Sequence, residues 1–203
     1  MFFCVGKTGT SSIEKVLAQY QTPGFFDKKS KHIPPQKFKS NFSDEEWEGY
    51  YKFAFVRNPW DWVLSNYYYN CFRKPKWIED KKKLSKVYDL WAKSRKFNAA
   101  AARRSISELR RFKKLDDADT LYQHRFLADP SGKLLVDFIG RYESLQPDFN
   151  HVCSVIGIAE QKLPKENVSL YNKNKYREKY TNEAKMLITR RYKKDIEFFD
   201  YEF

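Results

Sequence analysis

The sequence predicts an α/β fold: a mainly parallel sheet in three layers, flanked by helices, with a basic helical insert. Three observations predict it. Short apolar runs alternate with helix-length amphipathic segments, the pattern of strand–helix–strand units. The first two runs end in strong turn signals, Gly6-Lys7-Thr8-Gly9 and Asn58-Pro59. Most of the excess positive charge is confined to one stretch: residues 73–114 hold 16 of the 39 basic residues against 4 of the 26 acidic ones. A chain of 203 residues, 18% of them aromatic, can bury one proper core but not two. A single domain over residues 1–203 is expected, with the insert at about 73–128.

The elements follow in order. Residues 2–5 form an apolar run that reads as a buried strand. A helix near residues 11–20 places Ile13, Val16, Leu17 and Tyr20 on one face. Residues 52–58 read as a second strand, stopped by Pro59, which can start the next helix. That helix, about 60–72, carries Trp62, Ser65, Asn66 and Tyr69. Residues 73–128 read as helices with basic faces, 105–112 and 120–127 among them. Residues 136–140 form a third strand and 149–158 a helix after Pro147. Residues 164–179 read as a polar, asparagine-rich loop. The last helix spans 182–199, with Thr181 as N-cap and Leu187, Ile188, Tyr192, Ile196 and Phe199 facing inward.

Composition also limits the setting. Cys4, Cys71 and Cys153 are odd in number and widely spaced, with no CxxC pair. They read as small buried residues in a reducing compartment, so a cytoplasmic protein is expected. No apolar run approaches the roughly 20 residues of a membrane span. No basic region precedes the apolar start, as a signal peptide would require. The dense positive field of the insert suits an anionic partner.

The segment Val5-Gly6-Lys7-Thr8-Gly9-Thr10-Ser11-Ser12 lies between a strand and a helix. Glycines let the backbone turn so that N–H groups converge on an anion; the helix N-terminus adds partial positive charge and Lys7 a full one. Thr10, Ser11 and Ser12 offer hydroxyls to phosphate oxygens. The fold is therefore P-loop-like, yet not that of a magnesium-dependent NTPase. The Walker spacing would need glycine where Met1 stands, and Gly9 follows Thr8 directly.

The run Phe53-Ala54-Phe55-Val56-Arg57-Asn58-Pro59-Trp60-Asp61-Trp62-Val63-Leu64-Ser65 supplies a second anion grip. Arg57 ends a strand, and Ser65 stands inside the following helix. Together they can hold one phosphate from two sides. Ligands of open α/β sheets collect at the carboxyl ends of strands, where Lys7 and Arg57 both fall.

These two segments resemble the 5′-phosphosulfate and 3′-phosphate motifs of sulfotransferases that use 3′-phosphoadenosine-5′-phosphosulfate (PAPS). The nearest likeness is to the heparan and chondroitin sulfotransferases and their bacterial relatives. Residues 136–145 (VDFIGRYESL), 163–169 (LPKENVS) and 192–203 (YKKDIEFFDYEF) are similar too, so the likeness covers most of the chain except the insert. The resemblance implies sulfuryl transfer from PAPS to an acceptor hydroxyl, that of a carbohydrate such as an acidic glycan, leaving PAP. Lys7 would contact the 5′-phosphosulfate and its bridging oxygen, with Thr8, Gly9, Thr10, Ser11 and Ser12 cradling the 5′ end. Arg57 and Ser65 would hold the 3′-phosphate. The loop around Tyr176 falls where relatives close over the adenine.

Such an in-line displacement is governed by positioning and charge and requires no metal. It does require a base for the acceptor hydroxyl. His32, between the first helix and second strand, is the candidate; relatives often carry a histidine in this region. His124 can line the acceptor side. His151, on an apolar helix, reads as a core histidine, and Arg141 with Glu143 as a structural ion pair. Two other classes compete. A polyanion- or nucleic-acid-binding module explains the insert and its Trp77, Tyr88 and Trp91, but not Lys7, Arg57 and Ser65 in their setting. A nucleotide kinase explains the loop but not its spacing. No nucleic-acid partner is expected.

Overall fold

The computed structural model describes residues 1–20, 32–73, 96–112, 122–166 and 173–203. They fall into two compact units, Met1–Arg57 with Asp117–Asn167 and Asn58–Asp116 with Val168–Phe203.

The first unit holds a three-stranded parallel sheet in the order β1 (Phe2–Phe3), β2 (Phe53–Val56), β3 (Phe138–Arg141). Phe2 pairs with Phe53, and the β2–β3 ladder runs from Phe53↔Phe138 to Val56↔Arg141. Strand alternation sends neighbouring side chains to opposite faces. One face carries Phe53 and Phe55, buried with Ile13 and Val16 of α1 (Thr10–Leu17) and Phe149, Val152 and Cys153 of α7 (Leu145–Val155). On the other face Phe3 meets Phe38 of α2 (Pro35–Lys39) and Trp47 of α3 (Asp44–Gly49), ring centroids 5.8 and 6.0 Å apart. The sheet is parallel and helices cover both faces, as the strand–helix alternation predicts.

Boundaries moved for identifiable reasons. The ladder of β1 stops at Phe3, while buried Cys4 and Val5 carry the chain out of the sheet. The helix expected at 149–158 begins at Leu145 because Pro147 lies in its first turn, where a missing N–H costs nothing. It ends at Val155, and Gly157 (φ 74°) lets Ile158 N–H reach the Cys153 carbonyl at 2.9 Å. Two helices were not anticipated, α2 and α3. The second starts with a capping box: Ser43 Oγ accepts from Glu46 N–H, and the Glu46 carboxylate accepts from Ser43 N–H at 2.8 Å.

The second unit is helical, built from α4 (Pro59–Arg73), α5 (Ala99–Phe112), α8 (Asn182–Arg191) and α9 (Lys193–Phe198). Asn58 caps α4 by accepting from Trp60 N–H at 3.2 Å. The helix expected at 105–112 starts earlier, at Ala99, where Asn98 accepts from Ala101 N–H at 2.9 Å. α5 is anchored by Ser105, fully buried, whose hydroxyl donates to the Val63 carbonyl. Asn66 in turn donates to Ser105. Thr181 is the predicted N-cap of α8, but the final helix breaks at Tyr192, whose ring packs edge-on against Trp62. Residues 173–179, expected as loop, form a 3₁₀ run. Trp77, Tyr88 and Trp91 lie outside the described residues, as do 74–95 and 113–121 of the insert. Its last helix, α6 (Gln123–Leu127), belongs to the sheet-bearing unit.

Candidate functional site

The carboxyl edge of the sheet gathers four side chains, each delivered by the end of a strand or by a segment bound to one. After β1 the chain turns through two left-handed residues, Lys7 (φ 68°) and Gly9 (φ 85°). A left-handed lysine is strained and persists only where its surroundings hold it. The Thr8 hydroxyl, fully buried, helps by donating to the Val5 carbonyl at 2.8 Å. Gly9 then serves as the N-cap of α1, its carbonyl accepting from Ser12 and Ile13 N–H. The cap is thus a glycine, and Thr10 is already helical. No side chain makes a capping hydrogen bond to the start of α1, where the helix dipole places partial positive charge. Ser12 Oγ accepts from Glu166 N–H at 3.4 Å, while Lys15 and Glu166 pair at 2.7 Å across the rim.

Arg57 follows the last ladder position of β2 and is 2% exposed. A buried guanidinium must be matched by acceptors or by an aromatic face. Its Nη1 donates to the Lys7 carbonyl at 3.0 Å, and its Cζ lies 3.9 Å from the ring centre of Tyr142, the first residue beyond β3. Lys7 and Arg57, 50 residues apart in sequence, therefore meet at one edge of the sheet. Gln123, 1% exposed on α6, holds the backbone of Arg57 from the far side: its Oε1 accepts from Arg57 N–H at 2.9 Å and its Nε2 donates to Arg57 C=O at 2.7 Å.

His32 binds the same edge. Its Nδ1 lies 2.8 Å from the Cys4 carbonyl oxygen. A carbonyl only accepts, so Nδ1 carries the proton and the neutral ring has its lone pair on Nε2. That tautomer can take a proton at Nε2 while the Nδ1–H bond steadies the resulting cation.

Ser65 and Tyr176 belong to the second unit. Ser65 is buried on α4, eight residues after Arg57. Tyr176 is buried within the 3₁₀ run, its ring 6.0 Å from Phe203 and beneath the Arg177 guanidinium. Nearby, burial and the charge of Lys96 hold Lys179 below the ordinary lysine range. His124 is half-buried against Tyr122. His151 is exposed, its ring tilted against Phe138 with centroids 4.8 Å apart, and not the core histidine expected from its apolar helix. At the end of β3, Asp148 accepts from Arg141 N–H at 2.6 Å and from the Ser144 hydroxyl at 2.8 Å.

Sequence reasoning missed Gln123 and Tyr142. Tyr142 had a usable signal, since it lies two residues beyond the strand predicted at 136–140. Gln123 had none: nothing local marks a glutamine that binds a backbone 66 residues away. Among the described residues no group of three or more His, Cys, Asp or Glu is placed to hold a metal ion, and no helix is long and apolar enough to cross a membrane.

Comparison with known proteins adds independent findings. A family model described as the sulfotransferase family matches residues 1–202. An uncharacterized protein of Archaeoglobus fulgidus is 28% identical over 131 residues, covering 64% of this chain and 86% of the relative. No solved structure matches.

Proposed function

This chain belongs to the sulfotransferase family, and we propose that it transfers a sulfuryl group from PAPS to an acceptor hydroxyl, that of a carbohydrate. The observation that carries this reading is the bond between Arg57 and the Lys7 carbonyl, 3.0 Å long. It brings together two cationic residues from the segments that follow neighbouring strands. A donor with anionic groups at both its 5′ and 3′ positions needs two such grips; ATP needs only one.

In the proposed reaction the acceptor oxygen attacks sulfur as the bond from sulfur to the 5′-phosphate oxygen breaks, giving the sulfate ester and PAP. Lys7 stabilises the charge that develops on the leaving oxygen. The acceptor proton passes to His32 Nε2, and the Cys4 carbonyl holds the Nδ1–H of the cation. Arg57 binds the 3′-phosphate, and Ser65 and Tyr176 are assigned to the donor on sequence grounds. The αL turn at Lys7 and Gly9 and the glycine-capped start of α1 hold the 5′ end through backbone N–H groups. The whole chain acts as one catalytic domain, and the basic insert meets an acidic acceptor.

Thermal unfolding with PAP tests the donor assignment. At 100 times its Kd, PAP adds about 2.7 kcal/mol, which raises Tm by roughly 5–10 °C for a chain of this size. This shift is expected without magnesium. A shift that appears only with ATP and magnesium points to a kinase, and one seen only with DNA, RNA or heparin points to a polyanion-binding module.

A further inference from the structure

We propose that Gln123 and Tyr142 are positioning residues for Arg57, and that the arrangement they impose makes the protein select a nucleotide bearing a 3′-phosphate. The inference rests on the assignment of Arg57 to that phosphate and adds two residues with distinct tasks.

The β2–β3 ladder ends at Val56↔Arg141, so Arg57 is the first residue past the regular pairing. Its backbone is nonetheless fixed, because the Gln123 amide bonds both its N–H and its C=O, at 2.9 and 2.7 Å. Only a primary amide offers an acceptor and a donor side by side, as a neighbouring strand would. Gln123 thus extends the sheet by one residue with a side chain. It is itself 1% exposed, so an isostere lacking either function leaves a buried backbone group unmatched.

The side chain is fixed separately. A free arginine carries considerable rotamer entropy, lost when it clamps a ligand. Here the guanidinium rests on the Tyr142 ring at 3.9 Å and spends one N–H on the Lys7 carbonyl. Backbone and head group are thus both held before any ligand arrives. The contact to Lys7 runs through its backbone carbonyl, so Gln123 and Tyr142 bear on the Arg57 head group and not on the lysine side chain. Loss of Gln123 or of the Tyr142 ring should therefore act on the 3′ end of the ligand and spare the 5′ end.

Calorimetric affinities for PAP and for adenosine 5′-phosphosulfate, which lacks the 3′-phosphate, test this. In Gln123→Met and in Tyr142→Leu, PAP affinity is expected to fall about tenfold, the scale of one or two neutral hydrogen bonds or one ring contact. Affinity for adenosine 5′-phosphosulfate should stay unchanged, and Tyr142→Phe should match wild type. If Gln123→Met fails to fold, the Tyr142 pair decides by the same ratio. Equal losses for both ligands, or none in a folded variant, overturn the positioning role while leaving the donor assignment intact. A wild-type protein that binds both ligands equally overturns the donor assignment, and this proposal with it.

Discussion

Gly9→Ala is the most direct probe of the loop, because the cost has two parts that the structure separates. The first is conformational. Gly9 has φ 85° and ψ 8°, and an alanine held there costs about 1–2 kcal/mol. The second is steric. A Cβ at Gly9 would stand 2.7 Å from Leu145 Cδ2, 3.1 Å from Cδ1 and 3.4 Å from Tyr142 Cδ2. The leucine methyls end a half-buried side chain, so it can swing aside for about 0.5–1.5 kcal/mol. The expected total is about 1.5–3.5 kcal/mol. Urea unfolding of Gly9→Ala, Leu145→Ala and the double variant separates the parts. The coupling energy should be about 1 kcal/mol, the steric share, while the conformational share survives in the double variant. PAP affinity should fall in Gly9→Ala, because strain at this left-handed position disturbs the turn proposed to hold the 5′ end. A Gly9→Ala protein within about 0.5 kcal/mol of wild type would refute the left-handed cap. Zero coupling would refute the contact with Leu145.

Gly140→Ala is expected to destabilise by about 1–3 kcal/mol, since its Cβ would sit 2.4 Å from the Phe55 ring, itself fully buried. Its φ is ordinary, so a stabilisation of about 0.4–1 kcal/mol in urea unfolding would mean the ring does not lie over this glycine. Lys7→Ala should lower kcat with labelled donor by about 100-fold or more, the scale of one lost oxyanion donor; a kcat within threefold of wild type would remove it from the leaving group. His32→Ala should lose about 100-fold or more in kcat while keeping PAP affinity, as expected for a lost general base. Unchanged turnover would move the base elsewhere.

The parts of the fold that were legible share one property: their signals are local. The strand around Ala54 and Phe55, the Pro59 start of α4 and the Thr181 cap of α8 each depend on residues within a few positions of one another. The capping box at Ser43 and Glu46 was equally local and was passed over, because α3 is only six residues long and lacks helical periodicity. The break at Tyr192 is different. The apolar stripe of the last helix continues across it, with Ile188, Tyr192 and Phe199 all buried, so hydrophobic period alone cannot reveal the kink.

The candidate site divides along the same line. Arg57 stands at a strand end and Lys7 and Gly9 in the turn beyond another, and the rule that parallel sheets bind ligands at their carboxyl edge singles them out. What keeps Arg57 in place comes from 50 residues upstream at Lys7 and from 66 and 85 residues downstream at Gln123 and Tyr142. A cation buried this deeply is costly unless its surroundings are built for it. Because these supports come from three separate segments, they could not have been read from the motif. The motif names the group that meets the anion, whereas the topology supplies the groups that keep a buried charge tolerable before the anion arrives. A parallel sheet does this economically: β1, β2 and β3 all point their carboxyl ends the same way, so the residues that follow them converge without any sequence proximity.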